Sequence, residues 1–320
     1  MARLYRDADL GPIVDRRKAV EVMEEGYRAD ARGEVVPFPR TRTDARGVTL
    51  AWMGAAIPAF DLLGFRSYLY DSKGVDRGDQ VVALYRYLTM ELKALFLGSL
   101  VGNLRTGAAI AAALRIAQPN LRSLGLIGTG TQARQALACA AATFSLDSVW
   151  AWSPNPVRRE EFRLWAERAL NLRVHLGDGA AQVLRETAAI ALVTSSNEPL
   201  VSSEMMPGPR LLVSISAYRR PEIDLRLLYE APCVWTDSVA QASGPATLFH
   251  DPTRRGKLRP LAVDADQDAL HDEESTRIVI NTGAAWEEVL LAESLWRSSD
   301  QTQVGLRLDL SNDPLGPPRS

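Results

Sequence analysis

Residues Leu121 to Ala142, LRSLGLIGTGTQARQALACAAA, leave few folds open to this chain. The apolar run Leu124 to Ile127 reads as a buried strand. Gly128-Thr129-Gly130-Thr131-Gln132-Ala133 reads as a turn of the form GxGxxA, and an alanine-rich helix follows from Ala133. The first glycine makes the turn, and the second lets backbone approach a ligand. The third small residue lets the helix pack on the strand, so the helix N-terminus faces a pyrophosphate. The same turn also links strand to helix where no ligand binds. With strand and helix both in place, a dinucleotide site is the favoured reading.

The chain has 320 residues, room for about two domains. It is 46% hydrophobic and 24% charged, with a net charge of −2. No basic field suggests nucleic acid or a membrane surface. No apolar run is long enough to span a bilayer, and MARLYRDADLGPIVDRR has no apolar leader core. The expectation is a cytoplasmic protein. Cys139 and Cys233 lie in apolar contexts far apart, and read as buried thiols rather than a disulfide framework. Three unpaired histidines make a metal site improbable.

Asp15 predicts an N-cap for an amphipathic helix over Asp15 to Arg32, closed by Gly33. Prolines hold VVPFPRTRTD extended. Gly47 to Met53, Phe65 to Tyr70, Gln80 to Tyr85 and Ala94 to Leu97 predict an antiparallel meander. Ser99 to Ala117 reads as a helix with Arg105-Thr106-Gly107 in its first turns, and Gln118-Pro119-Asn120 as a boundary. Beyond the glycine turn, strands are expected at Ser148 to Trp152, Arg173 to Leu176, Ile190 to Thr194, Leu211 to Ser216 and Pro232 to Thr236. Helices are expected at Pro156 to Ala169 and Gly179 to Glu186. This alternation implies a parallel, doubly wound sheet, with ligands at the carboxyl ends of its strands. Ser195 and Ser196 then fall where a ribose or nicotinamide could lie, or in a polar loop. Gly244 to Glu274 is polar and less patterned, Thr276 to Trp296 is expected to be helical, and the tail SNDPLGPPRS loose.

Several segments together resemble the ornithine cyclodeaminase/mu-crystallin family over nearly the whole chain. They are Pro39-Arg40-Thr41, LRTGAA from Leu104, LGLIGTGTQAR from Leu124, PEID from Pro221, VWTDS from Val234 and NTGAAWEEVLLAESLW from Asn281. The resemblance implies an α/β fold. A Rossmann-type doubly wound parallel sheet (119–284) would be inserted into an α+β substrate and dimerisation domain (1–118 plus 285–320). It implies hydride transfer at the α-carbon of a small imino or amino acid, in a homodimer.

By that resemblance Arg105 grips the substrate carboxylate, a task that suits the bidentate guanidinium fork. Arg40 is a second contact, unless Arg42 is the true one. Arg66 stands where the family usually has a lysine. Arginine stays charged, so it can hold an anion but cannot readily act as general acid. It could also be a strand arginine facing solvent. The loop Ala217-Tyr218-Arg219-Arg220 lacks the aspartate that cyclodeaminases carry, leaving Tyr218 as a candidate proton donor or a packing aromatic. Glu288 replaces a family aspartate and reads as a solvated helix charge. His250 reads as a polar loop residue, with acid–base work as the alternative.

The expected cofactor contacts are Thr106, Gly128, Thr129, Gly130, Thr131, Gln132 and Ala133, then Ser153, Asn155 and Arg158, then Thr194, Ser195 and Ser196. An NAD enzyme usually has an acid at the end of the second strand, where this chain has Ser153. Arg158 and Arg159 follow it, so NADP is favoured, with NAD open. The first reading is an NAD(P)-dependent imine or amino acid oxidoreductase. The second is an ornithine-type cyclodeaminase using bound NAD, and the third a non-enzymatic binder of NADPH and small ligands.

Overall fold

The computed structural model describes residues 2–71, 80–261, 267–302 and 304–309. Two sheets carry the architecture. The first contains β1 (Ala2–Arg6), β2 (Val36–Ala45), β3 (Val48–Ile57), β4 (Leu62–Asp71), β5 (Val81–Arg86) and β6 (Leu92–Leu97). The second contains β7 (Ser123–Ile127), β8 (Ser148–Trp152), β9 (His175–Leu176), β10 (Ala189–Leu192), β11 (Leu211–Ser214), β12 (Val234–Thr236), β13 (Leu258–Pro260) and β14 (Arg277–Ile280). A last strand, β15 (Leu306–Leu308), returns to the first sheet.

The first sheet has the order β15-β1-β6-β5-β4-β3-β2. From β2 to β6 it is the expected meander, every pair antiparallel. Its first hairpin is closed by two residues, because Ala45 pairs with Val48. Arg46 and Gly47 both have positive φ (50° and 91°), as the type I′ turn demands. Along β3, Val48, Leu50 and Trp52 face out, and Thr49, Ala51 and Met53 face in, the two-residue period of a half-covered sheet.

The second sheet is wholly parallel, in the order β13-β12-β14-β11-β10-β7-β8-β9. Its inner strands are short apolar runs buried on both faces, as helices on both sides require. Strand order reverses between β7 and β10, and in such sheets ligands lie beyond the carboxyl ends at that switch point.

Three long helices join the sheets. Arg16–Ala31 is capped by Asp15, which accepts from the Lys18 amide at 3.0 Å, and Gly33 (φ 72°) lies just beyond it. Leu100–Ala117 is buried nearly all round. It crosses Thr131–Thr143 so closely that a Cβ on Gly107 would stand 2.5 Å from the Gln135 backbone. Ala285–Thr302 seats Trp286 against Gly26, where a Cβ would lie 2.0 Å from the indole, and Val289 against Gly64. One continuous apolar core runs from Tyr5 and Met53 through Ala108–Leu114 to Leu124. No described helix is long and apolar enough to cross a membrane.

Three expectations need correction. Thr276 to Trp296 is not one helix: Arg277–Ile280 is a strand in the interior of the second sheet, and the helix starts at Ala285. A four-residue apolar run carries no period that separates buried strand from buried helix. Gly283 (φ 71°) makes the break between them. The stretch Gly244 to Glu274 holds an edge strand, β13, and the short helices Pro252–Arg255 and Gln267–His271. Cys139 is a buried free thiol, whereas Cys233 is only partly buried. The tail 311–320 lies outside the described residues.

Candidate active site

Two cavities adjoin the carboxyl ends of the parallel strands. The first, about 350 Å³, runs over the glycine turn between β7, β8 and β10. Gly128 has φ 111°, and a Cβ there would meet the Val193 carbonyl oxygen at 2.4 Å, so the fold itself demands glycine. Gly130 differs: a Cβ would meet nothing within 4 Å, so backbone is bared to the groove. Thr129 Oγ1 and Ser153 Oγ share a hydrogen bond of 2.7 Å across the turn. A bare backbone at a helix N-terminus fits a pyrophosphate.

Of the expected cofactor contacts, Gly128, Thr129, Gly130, Ser153, Asn155, Arg158, Thr194, Ser195 and Ser196 line this groove. Asn155 also caps the Pro156–Leu170 helix, accepting from the Arg158 amide at 3.1 Å. The Arg158 side chain is exposed and carries no hydrogen bond or ion pair among the described residues, whereas Arg159 donates to the Gly177 carbonyl at 2.8 Å. Among the described residues, no Asp or Glu lines the groove. Thr131 is exposed and Ala133 is fully buried, and neither lines either of these two cavities. Ala133 instead lets the helix pack on the sheet.

The loops after β10 and β11 are tied from below by Glu222 of the PEID turn. It is fully buried, accepts from Ser214 Oγ at 2.5 Å, and accepts from Thr194 Oγ1. Burial pushes its carboxyl above the ordinary range, and the hydroxyl donors oppose that rise. Asp224, two residues on, caps the Leu225–Glu230 helix through the Arg226 amide at 2.8 Å.

The second cavity, about 200 Å³, lies between the sheets. Arg40 enters from β2, Arg66 and Tyr68 from β4, and Arg105 and Thr106 from the Leu100–Ala117 helix. Gln132 comes from the fingerprint helix, and Tyr218 and Asn281 from loops after β11 and β14. Thr106 and Gln132, expected on the cofactor, thus line the arginine cavity. Arg40 lines it and Arg42 does not. His250 is exposed, away from both cavities.

The three arginines are held differently. Arg40 donates to Tyr218 Oη at 3.1 Å, to the Gly283 carbonyl at 2.9 Å and to Met53 sulfur at 3.3 Å, all neutral partners. Arg66 is buried, lies 4.5 Å from the Tyr68 ring centroid, donates to Gln80, and meets Glu288 Oε1 at 2.6 Å. Arg105 is buried too, with Nη1 at 2.9 Å from Glu287 and Nε at 2.7 Å from Glu288. The strand arginine facing solvent and the solvated helix charge are therefore both ruled out for Arg66 and Glu288. Two of the chain's departures from the family pattern, Arg66 and Glu288, are the two halves of one buried ion pair.

Behind Arg105 lies an acidic cluster that sequence reasoning missed. Glu287 is fully buried and accepts from Asn281 at 2.8 Å. Asp237, also fully buried, accepts from the Thr282 and Ala284 amides at 2.7 and 2.8 Å. Burial raises the Glu287 carboxyl well above its ordinary range; Arg105 opposes this, and Asp237 and Glu288 add to it. Three guanidinium groups thus line the cavity, Glu287 and Glu288 pair with Arg105 and Arg66 from behind it, and no described carboxylate pairs with Arg40. A signal was present: an adjacent Glu-Glu flanked by Trp286 and Val289-Leu290-Leu291 sits in a helix too apolar to leave acids solvated.

The family model of the ornithine cyclodeaminase/mu-crystallin family matches residues 8–266. The chain belongs to this family. Its curated relatives include the iminosuccinate reductase of Paracoccus denitrificans, 25% identical over 90% of this chain and 94% of that protein. A probable ornithine cyclodeaminase from Bordetella pertussis Tohama I superposes with a TM-score of 0.82 at 23% identity, covering 96% of this chain and all of the other. The Thermococcus litoralis Δ1-pyrroline-2-carboxylate reductase, in complex with NADH and L-proline, superposes at 0.79 with 17% identity over 96% of this chain and all of that one. The family fold is this one: a parallel nucleotide-type sheet set into a mixed α+β part.

Proposed function

We propose that this chain is an NAD(P)-dependent oxidoreductase that reduces the C=N bond of a small α-imino acid. The observation that carries the reading is Arg40, a half-buried cation whose side chain meets only neutral atoms, at a cavity beside a dinucleotide-type groove. A half-buried guanidinium with no carboxylate partner among the described residues is a site for a ligand's carboxylate. Arg66 and Arg105, already paired, complete the positive wall and orient that carboxylate. A bound nicotinamide would supply the hydride to the carbon of the protonated C=N bond, whose π pair ends on the nitrogen and leaves a neutral amine. The named substrates of the Paracoccus and Thermococcus relatives, iminosuccinate and pyrroline-2-carboxylate, are small acids of this class.

The same reading takes 1–118 with 285–320 as the substrate and dimerisation part and 119–284 as the nucleotide part. It takes NADP as the preferred cofactor over NAD, the cytoplasm as the compartment, and a homodimer as the working form. Cyclodeamination is the second reading. Against it stands a cavity lining without Asp or Glu, and Tyr218 where a carboxylate would be needed.

The decisive assay follows NADPH and NADH consumption with Δ1-pyrroline-2-carboxylate, iminosuccinate, and pyruvate plus methylamine. Arg40→Ala strands no carboxylate, unlike loss of Arg105, so it is the cleaner test. It should lower kcat/KM by on the order of 100-fold, the loss of one or two charge-assisted hydrogen bonds. Dinucleotide affinity should stay within about twofold. A folded Arg40→Ala protein with full turnover would place the carboxylate elsewhere. Ammonia release without net cofactor change would favour the cyclodeaminase. Cofactor binding with no turnover would favour a mu-crystallin-type binder.

A further inference from the structure

The arginine cavity has a second wall of opposite hydrogen-bonding character. Thr106 is 5% exposed, and its hydroxyl hydrogen is spent on the Gly102 carbonyl at 2.8 Å, which leaves the oxygen as an acceptor. Gln132 donates its Nε2 to Asn103 Oδ1 at 2.9 Å, and its Oε1 is buried with no partner. Both residues line the same cavity as Arg40, Arg66 and Arg105. The close crossing at Gly107 fixes them side by side, because neither helix can withdraw without opening the contact with the Gln135 backbone. Two other side-chain acceptors on the lining are engaged: Asn281 Oδ1 by the Gly283 amide at 3.1 Å, and Thr282 Oγ1 by Gln241 at 3.1 Å.

A small acid held by its carboxylate on the arginine wall turns its α-substituent toward this acceptor wall. An N–H there satisfies Gln132 Oε1. A carbonyl oxygen there meets only lone pairs, and a buried acceptor left unpaired is costly. Sites built this way discriminate more strongly than sites that only shape a pocket. Resting on the reading above, we propose that Thr106 Oγ1 and Gln132 Oε1 receive the N–H of the bound acid in its protonated, iminium form, and so make the site select imino acids over their 2-oxo analogues.

The test needs no turnover. Pyrrole-2-carboxylate and furan-2-carboxylate have nearly the same shape, but the first presents a ring N–H where the second presents an oxygen. Each is titrated calorimetrically into the protein saturated with NADH or NADPH, whichever binds more tightly. The expected result is a preference for the pyrrole acid of about 10-fold or more. Gln132→Leu and Thr106→Val should each shrink the preference by weakening the pyrrole acid alone, and the double variant should remove it. Gln132→Met serves if the leucine variant does not fold. Equal binding of the two acids to the unmodified protein overturns the inference, as does a preference that survives the double variant. Weakened dinucleotide binding in these variants also overturns it, by assigning the two oxygens to the nicotinamide amide. If neither acid binds, the carboxylate site proposed at Arg40 falls with it.

Discussion

Arg158 stands exposed on the rim of the dinucleotide groove, with no hydrogen bond or ion pair among the described residues. Ser153 occupies the strand end where an acid would repel a 2′-phosphate. NADPH should therefore bind more tightly than NADH. Arg158→Ala should narrow that preference by on the order of 10-fold, by loss of a charge-assisted contact to phosphate. Fluorescence titration of both nucleotides against both proteins checks this; tighter NADH binding by the unmodified protein would reverse the inference. At this scale the sequence was legible where a residue's task is local. Gly128 and Gly130 could be placed from their motif alone. Arg40 and Arg42 could not be told apart, because they lie on one strand two residues apart. What separates them comes from afar: Tyr218, Gly283 and Met53 all converge on Arg40. Glu288 was misread for the same reason, since its partners are Arg66 and Arg105.

The Arg16–Ala31 helix carries a carboxylate in a poor place. Burial, with Asp237 adding to it, raises the Asp30 carboxyl from an ordinary 3.8 to about 7. Between those two values the unfolded chain has lost a proton that the folded chain keeps. Stability therefore falls as pH rises from about 4 to about 7, and this contribution is flat above that. Asp30→Asn should stabilise the protein at pH 8 by on the order of 2 kcal/mol, and far less at pH 4.5. Urea unfolding at both pH values and one protein concentration is the measurement; a gain equal at both would show that charge is not the cause. Elements as such were mostly legible, since the Arg16–Ala31 helix has its cap and period and the meander has its turns. Arg277–Ile280 was lost to a helix because its four residues show strand character only once β11 and β12 flank them. β1 gave no signal of its own and exists by pairing with β6 and β15.

Across the whole molecule, the outer face of β2, β3 and β4 leaves Val36, Phe38, Val48, Leu50, Trp52 and Leu69 exposed. A contiguous apolar face of this kind asks for a cover, and a two-fold copy of itself is the commonest one. Leu50→Glu should convert a homodimer to monomer in light scattering while leaving dinucleotide binding intact; a monomeric unmodified protein at micromolar concentration would remove the premise. The pair Arg66 and Glu288 belongs to this scale too, because 222 residues separate them along the chain and 2.6 Å separate them in space. In the resembled pattern the same two places hold a shorter base and a shorter acid. Arriving at this pair from those residues requires two codon changes far apart in the gene. After either change alone, two mismatched side chains would have to meet in a buried site, where a charge without a well-placed partner is costly. Mutational drift at one position is therefore gated by the other, and a chain bearing Arg66 has a narrow choice of heritable residues at 288.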